Sequence, residues 1–142
     1  MRSALFDTSV YISALRKGDP SVLGTRRLAP DSAVWLSSVV LEELYAGVRD
    51  PYRHLVERLE REFDGLERIL VPNLSDWTQA GRVLSRLASK YHHEPIGRGR
   101  LTNDALIAMS AGRMGITVIT ENEGDYRLLA EFRPFHWRLH EM

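Results

Sequence analysis

Four acidic residues stand in local sequences that could bring carboxylates to one site. Asp7 closes the apolar run over residues 4–6, and Asp125 follows the strand-like run over residues 116–120. Glu43 and Asp104 lie in segments with helical patterns. Several carboxylates that meet at one end of a sheet cannot all stay ionised without a cation. Carboxylate oxygens are the ligands that Mg²⁺ prefers, and such sites usually hydrolyse phosphate esters.

The elements that position these residues alternate between strands and helices. Apolar runs predict strands over residues 3–7, 33–37, 69–71 and 116–120, with an edge strand over 136–139. This alternation predicts an α/β domain over residues 1–142, with a mainly parallel sheet covered on both faces. Ligands of such sheets bind outside the carboxyl ends of the strands. Asp7 and the turn over residues 121–125 fall at two such ends.

Helices are predicted in the segments between these strands. Capping and stop residues place them over 9–17, 21–29, 38–48, 51–64, 75–91 and 102–114, with a short one after Gly124. Ser38, Ser75, and Thr102 or Asn103 are the expected N-caps. In the helix over 75–91, the residues expected on the apolar side are Trp77, Ala80, Leu84, Leu87 and Ala88.

Composition limits the function classes. The chain has 142 residues and a formal net charge of zero, so any nucleic-acid binding has to rest on a local basic patch. Arg98 and Arg100, in the polar stretch 92–100, are candidates for phosphate contacts, although a plain solvated loop explains them equally well. The absence of cysteine excludes disulfides and thiolate metal sites. No apolar run approaches a membrane span and no signal peptide is visible, so we expect a cytoplasmic protein.

Each acidic residue also has a purely structural explanation. Asp7 or Asp125 could cap a following helix, and Asp104 could be a first-turn carboxylate that the helix dipole keeps ionised. Glu42 and Glu43 flank the same apolar arc, so helical periodicity does not choose between them.

Other chemistries find no support in the sequence. The five histidines show no zinc-ligand spacing. There is no Gly-x-Ser-x-Gly elbow and no glycine-rich phosphate loop.

Four short motifs, in order, resemble the PIN-domain ribonucleases, and among these the VapC-type toxins of bacterial toxin–antitoxin pairs. They are Asp7-Thr8-Ser9, Glu43-Leu44-x-x-Gly47, Asp104-Ala105-x-Ile107-Ala108 and Thr120-x-Asn122-x-x-Asp125-Tyr126. The chain departs from the family pattern at Glu121, where a basic residue is common, and at Tyr126, where Phe is usual.

The resemblance implies a three-layer α/β/α fold and an endoribonuclease dependent on Mg²⁺ or Mn²⁺. Asp7, Glu43, Asp104 and Asp125 would bind the metal, and the family pattern favours Glu43 over Glu42. Thr8, Ser9, Thr120 and Asn122 would orient these carboxylates or a water molecule. The implied partners are an RNA substrate, a cognate antitoxin protein and a second copy of the chain in a homodimer.

Two rival functions remain. One is a non-catalytic PIN-like module that binds RNA or protein, which the presence of all four acidic residues disfavours. The other is a structure-selective DNA nuclease, which the short chain disfavours.

Overall fold

A computed structural model describes residues 2–17, 32–91 and 98–140. Within these ranges five strands form one sheet: β1 (Arg2–Phe6), β2 (Ser32–Ser37), β3 (Ile69–Leu70), β4 (Thr117–Thr120) and β5 (Trp137–Leu139). Every pair of neighbouring strands is parallel. The predicted α/β/α architecture is confirmed.

Six α-helices connect and cover these strands in the described ranges. They are α1 (Thr8–Arg16), α2 (Ser38–Gly47), α3 (Arg53–Gly65), α4 (Leu74–Tyr91), α5 (Arg98–Met114) and α6 (Glu123–Phe132), with a 3₁₀ turn at Asp50–Tyr52 before α3. The helix predicted over 21–29 lies outside the described residues.

The strand order places the carboxyl ends of two strands side by side. The order is β3-β2-β1-β4-β5. From the central strand β1, the chain therefore first adds β2 and β3 on one side and then β4 and β5 on the other. The change of direction lies between β1 and β4, where Phe6 pairs with Ile119. The Asp7 N–H donates to the Ile119 carbonyl at 3.0 Å. Open parallel sheets bind their ligands at such a switch point.

Small residues let α5 pack closely within the core. Ala105, Ala108 and Ala111 are completely buried. A Cβ added at Gly112 would lie 3.3 Å from the Phe135 Cβ, tighter than most such contacts. The α5 backbone, which carries Asp104, therefore lies close to its neighbours at this point.

Several helix starts differ from the prediction. Ser37, not Ser38, caps α2, and its Oγ accepts from the Val39 N–H at 3.1 Å. The helix α5 begins at Arg98, well before residues 102–103. Pro51 lies in the 3₁₀ turn, and α3 starts two residues later.

The N-cap predicted for α4, Ser75, is also wrong, because Asn73 takes this position. The Asn73 Oδ1 accepts from the Asp76 N–H, and Asp76 Oδ2 accepts from the Asn73 N–H, both at 2.9 Å. This reciprocal pair satisfies two exposed donors together, which Ser75 does not do. In this helix Trp77 is 56% exposed, so its predicted place on the buried side is wrong.

We predict that Asn73→Ala lowers the free energy of unfolding by about 1 kcal/mol, because a helix N-cap is lost. Ser75→Ala is the matched control, and we expect it to change stability little. Urea denaturation followed by circular dichroism measures both. Equal losses would contradict the reciprocal cap.

Candidate active site

Asp7 is the most buried acidic side chain of the four candidates. It caps α1, and its Oδ1 accepts from the Ser9 N–H at 3.1 Å and the Ser9 Oγ–H at 2.5 Å. Its Oδ2 accepts from the Thr120 hydroxyl at 2.6 Å. Burial raises the pKa of Asp7, and the bonds from Ser9 and Thr120 partly offset this effect. The carboxylate therefore both caps a helix and faces the end of β4.

Glu43 is held by a residue from a different helix. The Thr8 hydroxyl donates to Glu43 Oε1 at 2.6 Å, which joins α1 to α2. Glu43 is half-buried, whereas Glu42 is exposed on the same helix. The structure thus distinguishes the two glutamates, which helical periodicity does not.

The turn after β4 fixes the orientation of Asp125. The Asn122 N–H donates to the Thr120 Oγ1 at 2.8 Å, and the Asn122 Oδ1 caps α6. The Asn122 Nδ2 then donates to Asp125 Oδ2 at 2.7 Å. Asn122 is therefore the N-cap of α6, and Asp125, for which the sequence allowed this role, is instead the third residue of the helix.

Asp104 does not have the position that the sequence suggested. It is the seventh residue of α5, beyond the first turn, so the helix dipole does not govern its ionisation. Its pKa is raised to about 8, first by burial and then by the charges of Asp7 and Asp125, a hydrogen bond with Asp125, and the charge of Glu43. The expectation that Asp104 is ionised at neutral pH is wrong for the metal-free protein.

The mutual effect of these groups shows that the four carboxyl groups come together at one edge of the sheet, which we call the acidic edge (Asp7, Glu43, Asp104 and Asp125). Within residues 2–17, 32–91 and 98–140, however, no three Asp, Glu or His side chains are already close enough to hold a metal ion. The donors are hard oxygens, which fit Mg²⁺ or Mn²⁺. A cation would also replace the proton that burial and like charge retain on Asp104.

Tyr126 lies beside this edge, at the position where the family pattern usually has Phe. Its side chain is completely buried, and its ring meets that of Phe135 edge-on at 6.1 Å. Burial raises the pKa of Tyr126 well above its ordinary value, and the charges of Asp104, Asp7 and Glu43 add to this effect. The phenol is thus neutral and lies beside the carboxylates. The only sequence signal was its place directly after Asp125.

The arginines predicted to contact RNA form part of a helix. Arg98 and Arg100 lie in the first turn of α5, so the polar loop predicted over 92–100 ends earlier than expected. Residues 92–97 are outside the described part of the chain. Contact of these arginines with RNA stays a prediction.

A groove of about 500 Å³ begins at Glu43 and continues between α1 and α2. Its apolar wall includes Ile12, which is 36% exposed, and Tyr52, which is 53% exposed. Two exposed arginines, Arg16 and Arg49, also line it. Whatever occupies this groove would therefore contact both an apolar surface and the acidic edge.

A model of the PIN domain matches residues 4–131. The chain belongs to the PIN-domain family. No curated protein sequence is significantly similar to it. No helix in the described part of this PIN domain is long and apolar enough to span a membrane.

Solved structures show the same fold. A chain of DNA-bound VapBC from Salmonella typhimurium is 20% identical, with a TM-score of 0.68 and 98% of both chains covered. VapBC2 from Rickettsia felis, bound to a promoter DNA fragment, is 21% identical, with a TM-score of 0.67 and coverage of 97% and 98%. VapBC-5 from Mycobacterium tuberculosis is 20% identical, with a TM-score of 0.59 and full coverage of both chains. At these identities the likeness establishes the fold of the PIN domain.

The pKa of Asp104 predicts a specific pH dependence for the metal-free PIN domain. The folded pKa of about 8 exceeds the ordinary value of 3.8, so the folded state holds this proton more tightly. The stability it contributes is complete below pH 4 and is lost as the pH rises through about 8. We therefore expect Asp104→Asn to flatten the fall in melting temperature between pH 5 and pH 8, measured in EDTA.

Asp50→Asn serves as the control, because Asp50 is exposed and pairs with Arg53 one turn along the chain. In Asp50→Asn the melting temperature should fall between pH 5 and pH 8 with the same slope as in the wild type. If Asp104→Asn kept that slope as well, the raised pKa of Asp104 would be refuted.

Proposed function

We propose that this PIN domain, formed by residues 1–142, is a metal-dependent endoribonuclease. We further propose that it is the toxin of a type II toxin–antitoxin pair and acts in the cytoplasm, where its RNA substrate is found. The observation that carries the proposal is the convergence of four carboxyl groups, from the end of β1 and from α2, α5 and α6, at a site where burial, and then the neighbouring charges, raise the pKa of Asp104 to about 8.

Asp7, Glu43, Asp104 and Asp125 would hold Mg²⁺ or Mn²⁺. When bound, such an ion polarises a phosphate and lowers the pKa of a coordinated water, the chemistry that phosphodiester hydrolysis requires.

The remaining polar residues hold these carboxylates in place. Ser9 and Thr120 fix Asp7, and Thr8 fixes Glu43. Asn122 fixes Asp125 and is itself held by Thr120. Because these bonds exist before any ligand arrives, little side-chain freedom has to be lost on binding. This support is what a hydrolytic site needs and a simple interaction surface does not.

RNA has to be attracted locally, because the chain has no net charge and the acidic edge repels phosphate. Arg16 and Arg49 border the groove beside Glu43, where they are placed to contact phosphates. Tyr52 offers an exposed ring on which a base can stack. A single strand lying in this groove would reach the acidic edge.

The same groove supports an antitoxin partner. The solved structures of similar fold include VapBC toxin–antitoxin complexes. A partner segment with apolar residues would cover Ile12 and Val48, and one basic side chain would reach Glu43. Such a segment would exclude substrate from the acidic edge.

We also propose that the protein forms a homodimer.

Cleavage assays test the nuclease directly. We expect wild-type protein with Mg²⁺ or Mn²⁺ to cut RNA, and EDTA to abolish this. Glu43→Gln should reduce the rate by two or more orders of magnitude, because it removes a charge from the acidic edge. Glu42→Gln, on the exposed face of the same helix, should cut almost normally.

The outcomes separate the rival functions. A preference for single-stranded DNA over RNA would favour a DNA nuclease. RNA binding without any metal-dependent cleavage would favour a non-catalytic module. Equal losses in the two glutamate variants would refute the role of Glu43.

Antitoxin binding is tested by co-expression with the protein encoded beside this gene. We expect Ile12→Glu to weaken capture of the antitoxin at least tenfold, because a charge would enter the apolar wall of the groove. Leu66→Glu is the control, since Leu66 is 38% exposed and lies outside the groove. Normal capture of the antitoxin by Ile12→Glu would place the antitoxin elsewhere.

A further inference from the structure

Two buried hydroxyl groups have no hydrogen-bond partner in the described part of the protein. They belong to Tyr11 and Tyr126, and both side chains are completely buried. A buried hydroxyl that has lost water without gaining a partner destabilises the fold. Each of these groups therefore needs an explanation.

The surroundings of the two hydroxyls differ. The pKa of Tyr11 is raised by burial alone, with no charged group contributing. Its ring packs edge-on against Phe6, with 6.1 Å between the ring centroids. Tyr126, by contrast, is affected by Asp104, Asp7 and Glu43. Only the Tyr126 hydroxyl is thus directed toward the acidic edge.

The Asp7 carboxylate is held by other hydrogen bonds and is not free to turn toward the Tyr126 hydroxyl. Asp7 contributes a hydrogen-bonding effect on this phenol, but the two groups do not reach hydrogen-bond geometry. Both Asp7 oxygens are already held, Oδ1 by Ser9 and Oδ2 by Thr120. The Tyr126 hydroxyl is consequently close to three carboxyl groups and bonded to none of them.

We propose that Tyr126 is a positioning residue for a hydrated divalent cation at the acidic edge, and that its hydroxyl gains a hydrogen bond from a water molecule that the cation carries. This inference rests on the proposed function. Mg²⁺ dehydrates reluctantly and keeps several water molecules in protein sites. Those molecules donate hydrogen bonds, and a neutral phenol both donates and accepts. Filling the site therefore satisfies a group that the metal-free fold leaves unpaired.

The test compares Tyr126→Phe with Tyr11→Phe. Each change removes one buried hydroxyl and keeps the ring, including the packing of residue 126 on Phe135. In EDTA, both variants should melt at or slightly above the wild-type temperature, because an unpaired polar group is gone. Circular dichroism confirms that both remain folded.

Metal binding then separates the two variants. Titration calorimetry with Mn²⁺, and separately with Mg²⁺, should show about three- to tenfold weaker binding by Tyr126→Phe, as expected for the loss of one hydrogen bond. Tyr11→Phe should bind like wild type. The rise in melting temperature that the cation produces should likewise be smaller in Tyr126→Phe alone.

The failures of the two proposals are distinguishable. Equal cation affinity in wild type and both variants would overturn the role of Tyr126 and leave the nuclease proposal standing. A metal-free Tyr126→Phe less stable than both wild type and Tyr11→Phe would also overturn it, since its hydroxyl would already be bonded. Wild-type protein that binds neither cation would overturn both proposals.

Discussion

A carboxylate buried at the end of a central strand has to be surrounded by hydrogen-bond donors, and the acidic edge is built around this requirement. Removal of a charge from water is costly unless other polar groups replace the solvent. For Asp7 these groups are the N–H and hydroxyl of Ser9 in the same turn, and the hydroxyl of Thr120, 113 residues away. The parallel pairing of β1 with β4 is what brings Thr120 within reach.

The burial of Asp7 is accompanied by crowding of like charges at the acidic edge. Once Asp7 is fixed, α2, α5 and α6 bring three further carboxyl groups to the same edge, and burial together with their repulsion keeps a proton on Asp104 in the metal-free protein. A divalent cation at this edge would compensate the same excess of negative charge. Binding of such a cation would then be coupled to proton release and to the stability of the fold.

Strands and sheet were predictable because they follow from hydrophobic runs that alternate with amphipathic segments. The first residues of the helices were not predictable, because neighbouring residues compete for the N-cap position. At α4 the reciprocal bonds with Asp76 favour Asn73 over Ser75. The early start of α5 is a tertiary effect: its first turn includes Gly99, a poor helix former, but the helix packs along α4.

The residues of the acidic edge were likewise predictable from the sequence only in part. Asp7 and the Asp125 turn follow from the rule that ligands bind at the carboxyl ends of parallel strands, which needs only local sequence. The choice of Glu43 over Glu42 depends on Thr8, which α1 brings from 35 residues away. The ionisation of Asp104 depends on three other segments, and so does the setting of the Tyr126 hydroxyl. Residue type and spacing thus identify the groups that can do chemistry, but their protonation and unpaired hydrogen bonds arise only when the sheet brings distant segments together.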